Sequence, residues 1–382
     1  MNGDGSRVPR FTVPRFTVLR FMVPRFMVAR FTVARFTVLG SRSFDVTLNP
    51  EPGNPEPRTR EPGTREPEND KRQDSMSVSP VTFIRGRKKR PDELPRQPKP
   101  EWLKVRAPGS ENYLRLKGLM RSLGLHTVCE EANCPNIGEC WHHGTATFMI
   151  LGDTCTRSCG YCNVTHGAPK PADIDEPAKV ANAISVLQLD YVVVTSVDRD
   201  DLADCGASHF ARTIQETRAR IPSCRLEVLI PDFKGDEAAL RTVLDARPDV
   251  LNHNIETVPR LYRTARPGGR YDRALQLLDR SRTYAPDIPT KSGLMVGLGE
   301  EWDEVVATLR DLRSVGCRIV TIGQYLRPSL ANLPMSRYYA PAEFAELKRL
   351  ALEMGFGHVE SGPLVRSSYH AHEQTQALEA AR

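Results

Sequence analysis

Six of the nine cysteines lie in one short segment of the chain, arranged as two triplets. The first triplet has the spacing C-x4-C-x5-C and comprises Cys129, Cys134 and Cys140; the second has the spacing C-x3-C-x2-C and comprises Cys155, Cys159 and Cys162. A structural zinc site needs four protein ligands in a closed tetrahedron, whereas each triplet supplies only three thiolates. Each site therefore requires a further ligand from elsewhere.

The second triplet suits an iron–sulfur cluster, because thiolates and such clusters are both soft partners. Gly160 gives the loop the freedom to bring three sulfurs onto one cube. The motif resembles that of radical S-adenosylmethionine (SAM) enzymes, in which SAM binds the fourth iron and Tyr161 would shield the cluster or contact the adenine. The alternatives are a zinc site with His166 as fourth ligand, or a redox pair of Cys159 and Cys162.

Charge and composition limit the other functional classes. The formal net charge is +6, and residues 1–75, with 13 basic and 9 acidic side chains, account for +4 of it. The nearly neutral remainder disfavours nucleic acid as a partner, and no apolar run is long enough to predict a membrane span. Cysteines at ligand spacings fit a reducing compartment. We expect a bacterial cytoplasmic protein in preference to a mitochondrial one.

The first 75 residues differ from the rest. Residues 10–39 repeat the unit RFTVP with variations, and residues 49–68 repeat NPEPG. A period of five places successive phenylalanines on different faces of either a helix or a strand. We expect a disordered repetitive segment, translated upstream of a natural start at Met76 and not part of the native protein. An extended arm over residues 76–100 would follow.

The elements that must position the cysteines begin near residue 101. Hydrophobic residues from Trp102 to Leu123 predict one helix that ends at Gly124 and leads into the first triplet. We expect residues 101–145 to form an N-terminal cluster-binding extension.

Strand and helix patterns then alternate over residues 146–362. The predicted strands are 148–151, 191–195, 226–230, 250–255, 293–298 and 319–325, and the predicted helices are 177–189, 208–220, 236–246, 272–282, 301–315 and 341–354. Short buried strands alternating with helices predict parallel pairing with right-handed crossovers. The predicted fold is α/β, a partial (β/α)6 TIM-type barrel, with a doubly wound open sheet as the alternative.

In such a barrel the active residues lie at the carboxyl ends of the strands. Polar residues are concentrated after the second and fourth predicted strands and include Thr195, Ser196, Asp198, Asn254 and Glu256. Asp200 and Asp201 have an equally good interpretation as solvated residues or helix caps.

Several segments closely resemble the lipoyl synthases, and the resemblance extends from about residue 102 to residue 371. Besides the two triplets, the shared segments are TSVDRDDLAD, LIPDFKGD, NHNIETVPRLYRTARPGGRYDRALQLL, TKSGLMVGLGE, GQYLRPS and VESGPLVRSSYHA. One departure is Cys205, where this family more usually has glycine. Because cysteine enters positive φ less easily than glycine, the loop geometry at this position is in question.

The resemblance implies two [4Fe-4S] clusters and SAM as cofactors. The second triplet would hold the cluster that reduces SAM to a 5'-deoxyadenosyl radical. The first triplet would hold an auxiliary cluster, completed by Ser368 of the R-S-S-Y motif in a returning tail over residues 363–382. That cluster would donate sulfur to C6 and C8 of a protein-bound octanoyl-lysine.

The resemblance also implies SAM contacts and partners. The region of Thr195, Ser196 and Asp198 would hold the methionyl amine, and Asn254 with Glu256 the ribose. The pattern G-x-M-x-G-x-x-E, which includes Gly293 and Gly297, would pack against the adenosyl group. The implied partners are octanoylated lipoyl domains of 2-oxoacid dehydrogenases and the glycine cleavage H protein, reduced ferredoxin or flavodoxin, and an iron–sulfur carrier.

Other interpretations stay open at this point. A radical SAM enzyme of the biotin synthase or methylthiotransferase type would share the second triplet. A non-catalytic metal-binding protein would need no SAM, and His142 or His143 would then complete a Cys3His zinc site with the first triplet. The spacing of the first triplet and the terminal R-S-S-Y motif disfavour the first of these, and counts of iron and sulfide would identify the second.

Overall fold

The computed structural model describes residues 98–105, 107–142 and 147–380. The two repeat segments, Met76 and all but the last three residues of the expected arm lie outside these ranges, as does His143. The side chains of residues 378–380 are likewise outside the description.

The described chain contains one large sheet and one small one. The strands are β1 His126–Thr127, β2 Thr147–Ile150, β3 Thr154–Cys155, β4 Thr165–His166, β5 Tyr191–Ser196, β6 Arg225–Leu229, β7 Val250–Asn252, β8 Thr290–Val296, β9 Ile319–Gln324 and β10 His358–Gly362. In the large sheet the order is β1-β2-β5-β6-β7-β8-β9-β10. Only β1 runs antiparallel to its neighbour. The parallel pair β3 and β4 forms the small sheet, beside the second cysteine triplet.

Helices connect these strands. They are α1 Glu111–Leu123, α2 Val128–Glu131, α3 Ile137–His142, α4 Glu176–Leu187, α5 Ala207–Arg220, α6 Glu237–Asp245, α7 Pro259–Ala265, α8 Tyr271–Tyr284, α9 Trp302–Ser314, α10 Pro341–Glu353 and α11 Ala371–Ala380, with short 3-10 helices at Glu101–Leu103 and Phe233–Gly235. All six predicted strands and all six predicted crossover helices are present, with ends shifted by a few residues.

The strand order distinguishes the two predicted topologies. A doubly wound sheet reverses its order at a switch point, whereas here each parallel strand pairs with its predecessor in the sheet without reversal. The partial barrel is therefore confirmed. It has seven parallel strands instead of six, because β10 pairs with β9. Sequence patterns missed β10 because Val359 is the single fully buried residue in a strand that also contains glutamate, serine and glycine.

The crossover helices form because each presents an apolar face to the core, and α6 is also capped. In α6 the side chain of Asp236 accepts hydrogen bonds from the backbone N–H groups of Ala238 and Ala239. Leu240, Val243 and Leu244 face the core. Burial of each such side chain stabilises the fold by roughly 1.5–3 kcal/mol.

The N-terminal helix is shorter than the sequence pattern indicated. It begins at Glu111, where Ser110 accepts a hydrogen bond from the N–H group of Tyr113, and it ends at Gly124 with a φ of 63°. Trp102 lies in the separate 3-10 helix and is 44% exposed. Its assignment to the helical face was wrong, because Pro108 and Gly109 interrupt the helix.

A buried polar network lies inside the barrel. The Nζ atom of Lys291 in β8 is 2.9 Å from the carboxylate of Glu227 in β6, and both side chains are 0% exposed. Glu227 also accepts hydrogen bonds from Asn252 and Tyr191. The Tyr191 hydroxyl reaches Thr375 of α11 at 3.0 Å. This contact attaches the C-terminal helix to the strands of the barrel.

Candidate active site

A cavity of about 620 Å³ collects most of the predicted site residues. The predicted residues that line it are Cys129, Cys134, Cys155, Cys159, Tyr161, Cys162, Thr195, Ser196, Asp198, Asn254, Glu256, Gly293 and Ser368. Cys140 and Gly297 are the two predicted residues that do not line it. The site thus lies where the barrel prediction placed it, at the carboxyl ends of the strands.

The second triplet is held by backbone contacts. The sulfur of Cys155 accepts hydrogen bonds from the N–H groups of Arg157 and Asp198, at 3.4 and 3.3 Å. The N–H group of Gly160 donates to the carbonyl of Ala265 at 2.8 Å. A Cβ atom at Gly160 would lie 2.8 Å from the Leu333 side chain. Glycine is required here for close approach, and not for the unusual backbone conformation that the sequence suggested.

Burial makes all three of these thiols weak acids in the metal-free chain. It raises the pKa of Cys155 to about 11 and the pKa of Cys159 to about 12. The pKa of Cys162 is raised for the same reason. Because a metal centre binds thiolates, loading this site must release protons.

Arg157, within the second triplet, joins the cluster loop to the barrel. Its guanidinium group is 2.7 Å from Asp200, 2.6 Å from Asp232 and 3.5 Å from Asp198. Its side chain is only 3% exposed. Asp200 is therefore an ion-pair partner, whereas Asp201 pairs with Arg199. Sequence reasoning missed Arg157, although its position between two cysteines was a usable signal.

Two buried oxygen atoms of residues that line the cavity accept no hydrogen bond within the described ranges. They are the hydroxyl oxygen of Ser196 and the Oδ1 atom of Asp198, which is 3.5 Å from the Nη1 atom of Arg157 in an ion pair. Burial raises the pKa of Asp198, while Arg157 and Arg266 act in the opposite direction. Such acceptors suit the amino group of SAM. Thr195, in contrast, already donates its hydroxyl to the carbonyl of Leu229.

Arg266 is a second residue that sequence reasoning missed. It is buried on the cavity wall, and its Nη1 atom donates to the carbonyl of Asn254 at 2.8 Å. Its positive charge favours the ionised forms of the neighbouring Glu256 and Tyr161, and so acts to lower the pKa of each. Burial raises the pKa of Glu256, and Arg266 opposes that rise. The R-P-G-G sequence was the available signal, since a Cβ atom at Gly269 would lie 2.8 Å from the Arg266 side chain.

The first triplet lies beside the R-S-S-Y motif of the tail. Burial raises the pKa of Cys129 to about 11, with a further rise from the neighbouring Cys134. Burial raises the pKa of Cys134, and the charge of the nearby Arg366 opposes that rise. Burial also raises the pKa of Tyr369, and the nearby Cys140 adds to that rise. The two ends of the motif therefore lie beside two different cysteines of this triplet.

The tail is fixed by further hydrogen bonds. Asn136 donates to the carbonyl of Leu364 at 2.7 Å, and the Tyr369 hydroxyl donates to Glu139 at 3.1 Å. Ser367 exchanges hydrogen bonds with Asn254. No hydrogen bond to the Ser368 side chain occurs among residues 98–105, 107–142 and 147–380.

The two predicted glycines have different surroundings. A Cβ atom at Gly293 would lie 2.6 Å from Thr321 Oγ1 and 2.9 Å from Asn254 Oδ1. Gly297 has a φ of +103° and packs against Gln324. Glu300 accepts hydrogen bonds from the N–H groups of Gly297 and Leu298. In this pattern Gly293 lines the cavity, and Gly297 shapes the turn after β8.

The loop around Cys205 adopts the conformation that the sequence put in doubt. Cys205 has a φ of 51°, and the following Gly206 has a φ of 90°. Cys205 is buried. Left-handed backbone at a non-glycine residue costs roughly 1–2 kcal/mol. The chain therefore carries local strain where a glycine would carry little.

The donor set does not suit a single metal ion. No group of three or more histidine, cysteine, aspartate or glutamate side chains in the described part of the chain is arranged to hold one. Five thiols that line one cavity fit larger inorganic units, because each cysteine of a cubane binds a different iron. None of the described helices is long and apolar enough to cross a membrane.

The comparison with solved structures gives a distant likeness. A methylornithine synthase is similar with a TM-score of 0.43 and 13% identity, over 69% of this chain and 81% of that one. The family model of the radical SAM superfamily matches residues 149–312, which include the second triplet, the end of β2 and four complete strands of the barrel, β5 to β8. The chain is a radical SAM protein, and this class uses a [4Fe-4S] cluster and SAM.

A second family model, the N-terminal domain of lipoyl synthase of the radical SAM family, matches residues 69–134. The lipoyl synthase of Rubrobacter xylanophilus is 60% identical over 284 residues, covering 74% of this chain and 88% of that protein. The lipoyl synthase of Koribacter versatilis is 58% identical over 280 residues, covering 73% and 92%. The chain belongs to the lipoyl synthase family.

Proposed function

We propose that this protein inserts two sulfur atoms, at C6 and C8, into an octanoyl group carried on a lysine of another protein. The observation that carries the proposal is the meeting of three elements at one cavity: the second triplet, two cysteines of the first triplet and Ser368. When bound, SAM and its cluster supply a radical that removes hydrogen from unactivated carbon, and a second cluster supplies sulfur. The protein contributes orientation and exclusion of water.

On the SAM side, Cys155, Cys159 and Cys162 would hold one [4Fe-4S] cluster. Asp198 offers a buried carboxylate oxygen that accepts no hydrogen bond and could bind the amino group of SAM, beside the charge of Arg157. Arg157 holds the cluster loop rigidly on the barrel through its aspartate partners.

On the other side of the cavity, Cys129, Cys134, Cys140 and Ser368 would hold the auxiliary cluster. Cys129 and Cys134 line the cavity, and Cys140 lies close to Tyr369, the residue after Ser368. A serine oxygen is a hard ligand and a weak partner for iron, so a cluster held in part by serine releases sulfur more readily than one held by thiolates alone. Ser367 already bonds to Asn254, which favours Ser368 as the ligand.

The proposal includes a division of the described chain and a set of partners. Residues 101–145 form the auxiliary-cluster region, 146–362 the barrel, and 363–382 the tail that returns to the auxiliary cluster. The substrates are octanoylated lipoyl domains of 2-oxoacid dehydrogenases and the glycine cleavage H protein. Reduced ferredoxin or flavodoxin supplies electrons, and an iron–sulfur carrier rebuilds the auxiliary cluster.

The test is anaerobic reconstitution followed by reaction with SAM, dithionite and an octanoyl-lysyl peptide. The reconstituted chain should contain about eight irons, the content of two cubanes. It should form 5'-deoxyadenosine and a peptide with two added sulfur atoms. A mass spectrum in which the octanoyl peptide stays unchanged while SAM is cleaved would contradict the proposal.

A further inference from the structure

Ser367 lies between the two halves of the proposed site. Its Oγ atom is 2.7 Å from Asn254 Nδ2 and 2.9 Å from Asn254 Oδ1, so this one hydroxyl both accepts and donates. Asn254 follows β7 in the barrel, whereas Ser367 belongs to the tail. No mechanism described above uses the hydroxyl of Ser367.

The pair occupies a tightly packed position over β8. A Cβ atom at Gly293 would lie 2.9 Å from Asn254 Oδ1 and 3.2 Å from Ser367 Oγ. Another tail residue packs against the next strand in the same way, since a Cβ atom at Gly323 would lie 2.1 Å from the carbonyl oxygen of Val365. The tail is therefore packed so closely on these strands that no side chain fits between them at Gly293 or Gly323.

The contact continues from Asn254 to the cluster loop of the SAM side. The carbonyl of Asn254 accepts a hydrogen bond from Arg266 at 2.8 Å. The preceding residue, Ala265, accepts a hydrogen bond from Gly160 in the second triplet, also at 2.8 Å. A continuous path of hydrogen bonds and adjacent residues thus leads from the loop of the second triplet to the neighbour of Ser368.

We propose that Ser367 is a positioning residue that couples the SAM side of the cavity to the auxiliary-cluster ligand Ser368 through Asn254. Because coupling between two sites is reciprocal, a tail that tightens when SAM binds must also tighten the binding of SAM. Binding of SAM would then hold Ser368 in its position at the auxiliary cluster. Radical formation and sulfur delivery would therefore occur when both the SAM site and the auxiliary-cluster site are ordered. This inference rests on the proposed function.

The test compares reconstituted wild-type protein with Ser367→Ala. The variant should retain about eight irons, because its cluster ligands are unchanged. Its Kd for SAM should rise about fivefold, which corresponds to the loss of one hydrogen bond worth about 1 kcal/mol. The ratio of 5'-deoxyadenosine formed to sulfur inserted should rise by a similar factor.

A matched control is Ser361→Ala. The Ser361 hydroxyl donates a hydrogen bond to the carbonyl of Phe344 at 2.8 Å, but it lies in β10 and outside the cavity. Its loss should leave the Kd for SAM and the product ratio unchanged. A cycle of Ser367→Ala, Asn254→Ala and the double variant should show non-additive changes in the Kd for SAM.

An unchanged Kd for SAM together with an unchanged product ratio in Ser367→Ala would overturn the inference, as would strictly additive effects in the cycle. Loss of about half the iron from Ser367→Ala would also overturn it, since Ser367 would then be the ligand. A wild-type protein that binds SAM and forms no sulfur-containing product would instead contradict the proposed function. The Kd for SAM separates the two failures, because it does not depend on sulfur transfer.

Discussion

Replacement of Arg157 by methionine should destabilise the barrel by about 3–5 kcal/mol, the usual cost of removing one partner from a buried ion pair. The Arg157 side chain is 3% exposed and lies 2.6 Å from Asp232, which is 2% exposed. Methionine keeps much of the apolar volume of the side chain. The carboxylate of Asp232 would lose its shorter ion pair and keep Arg273, at 3.1 Å, and the neighbouring Asp198 would lose Arg157 at 3.5 Å. Most of the loss thus comes from buried carboxylates that keep fewer cationic partners.

The loss of stability in the Arg157→Met protein should depend on pH. Burial by itself raises the pKa of Asp232, but the hydrogen bond and charge of Arg157 outweigh it and hold that pKa well below its ordinary value. In wild type this carboxylate contributes stability above its unfolded pKa of about 3.9, and the contribution is lost as the pH falls through the folded pKa. In the variant burial dominates, so protonation relieves the cost. The difference between the two proteins should shrink from about pH 7 to about pH 4.

Thermal unfolding of the metal-free proteins, followed by circular dichroism in reducing buffer, measures the effect. At about 2 °C per kcal/mol for a chain of this size, the Tm at neutral pH should fall by roughly 6–10 °C. The control is Arg349→Met, which also removes an arginine with two acidic partners, Glu346 and Glu353, but from an exposed position. It should change the Tm little, because solvent screens exposed pairs. Equal shifts in the two variants would refute burial as the cause.

Three further substitutions test the site and its surroundings. Cys159→Ala should abolish formation of 5'-deoxyadenosine and leave about four irons in the other cluster, and SAM cleavage at the wild-type rate would contradict the assignment of this triplet. Cys134→Ala should still form 5'-deoxyadenosine with dithionite but insert no sulfur; Ser368→Ala should fail at the same step and Ser367→Ala less severely. A lipoyl product from Cys134→Ala without added sulfide would contradict this. Cys205→Gly should be more stable than Cys205→Ala by about 1 kcal/mol in urea unfolding, because only glycine relieves the left-handed backbone, and equal stability would argue against strain there.

Much of the fold could be predicted because its pattern is local. The strands around Val192, Val228 and Val320 are short apolar runs, and each crossover helix presents one apolar face, so spacing alone located them. β10 escaped because its pairing with β9 compensates for a weak apolar pattern. The helix α11 escaped because, among its described side chains, two of the three buried ones, Gln374 and Thr375, are polar and the third, Ala371, is small. Such residues belong to a core only when distant partners satisfy them, and spacing does not reveal distant partners.

The residues of the candidate site likewise include some that the sequence predicts and some that it does not. The cysteine triplets can be recognised as ligands from the sequence alone, since thiols at ligand spacing have few other uses. Arg157 and Arg266 cannot be recognised as site residues in this way. An arginine in a loop is most often solvated, and only the folded chain shows that these two are buried beside carboxylates and cysteines. Their importance depends on burial, which is a property of the whole fold.

The two halves of the cavity are held by different kinds of contact, and this difference suits the proposed chemistry. The second triplet lies in a loop fixed by backbone hydrogen bonds at Gly160 and by the buried charges around Arg157. The R-S-S-Y segment is held largely by side-chain hydrogen bonds from single residues, such as Ser367 and Asn136. A cluster that only transfers electrons must persist through every turnover, whereas a cluster that gives up sulfur must come apart and be rebuilt. Rebuilding requires a ligand that can move away, and a short tail segment held by a few hydrogen bonds can do so at far lower cost than a loop held by buried ion pairs.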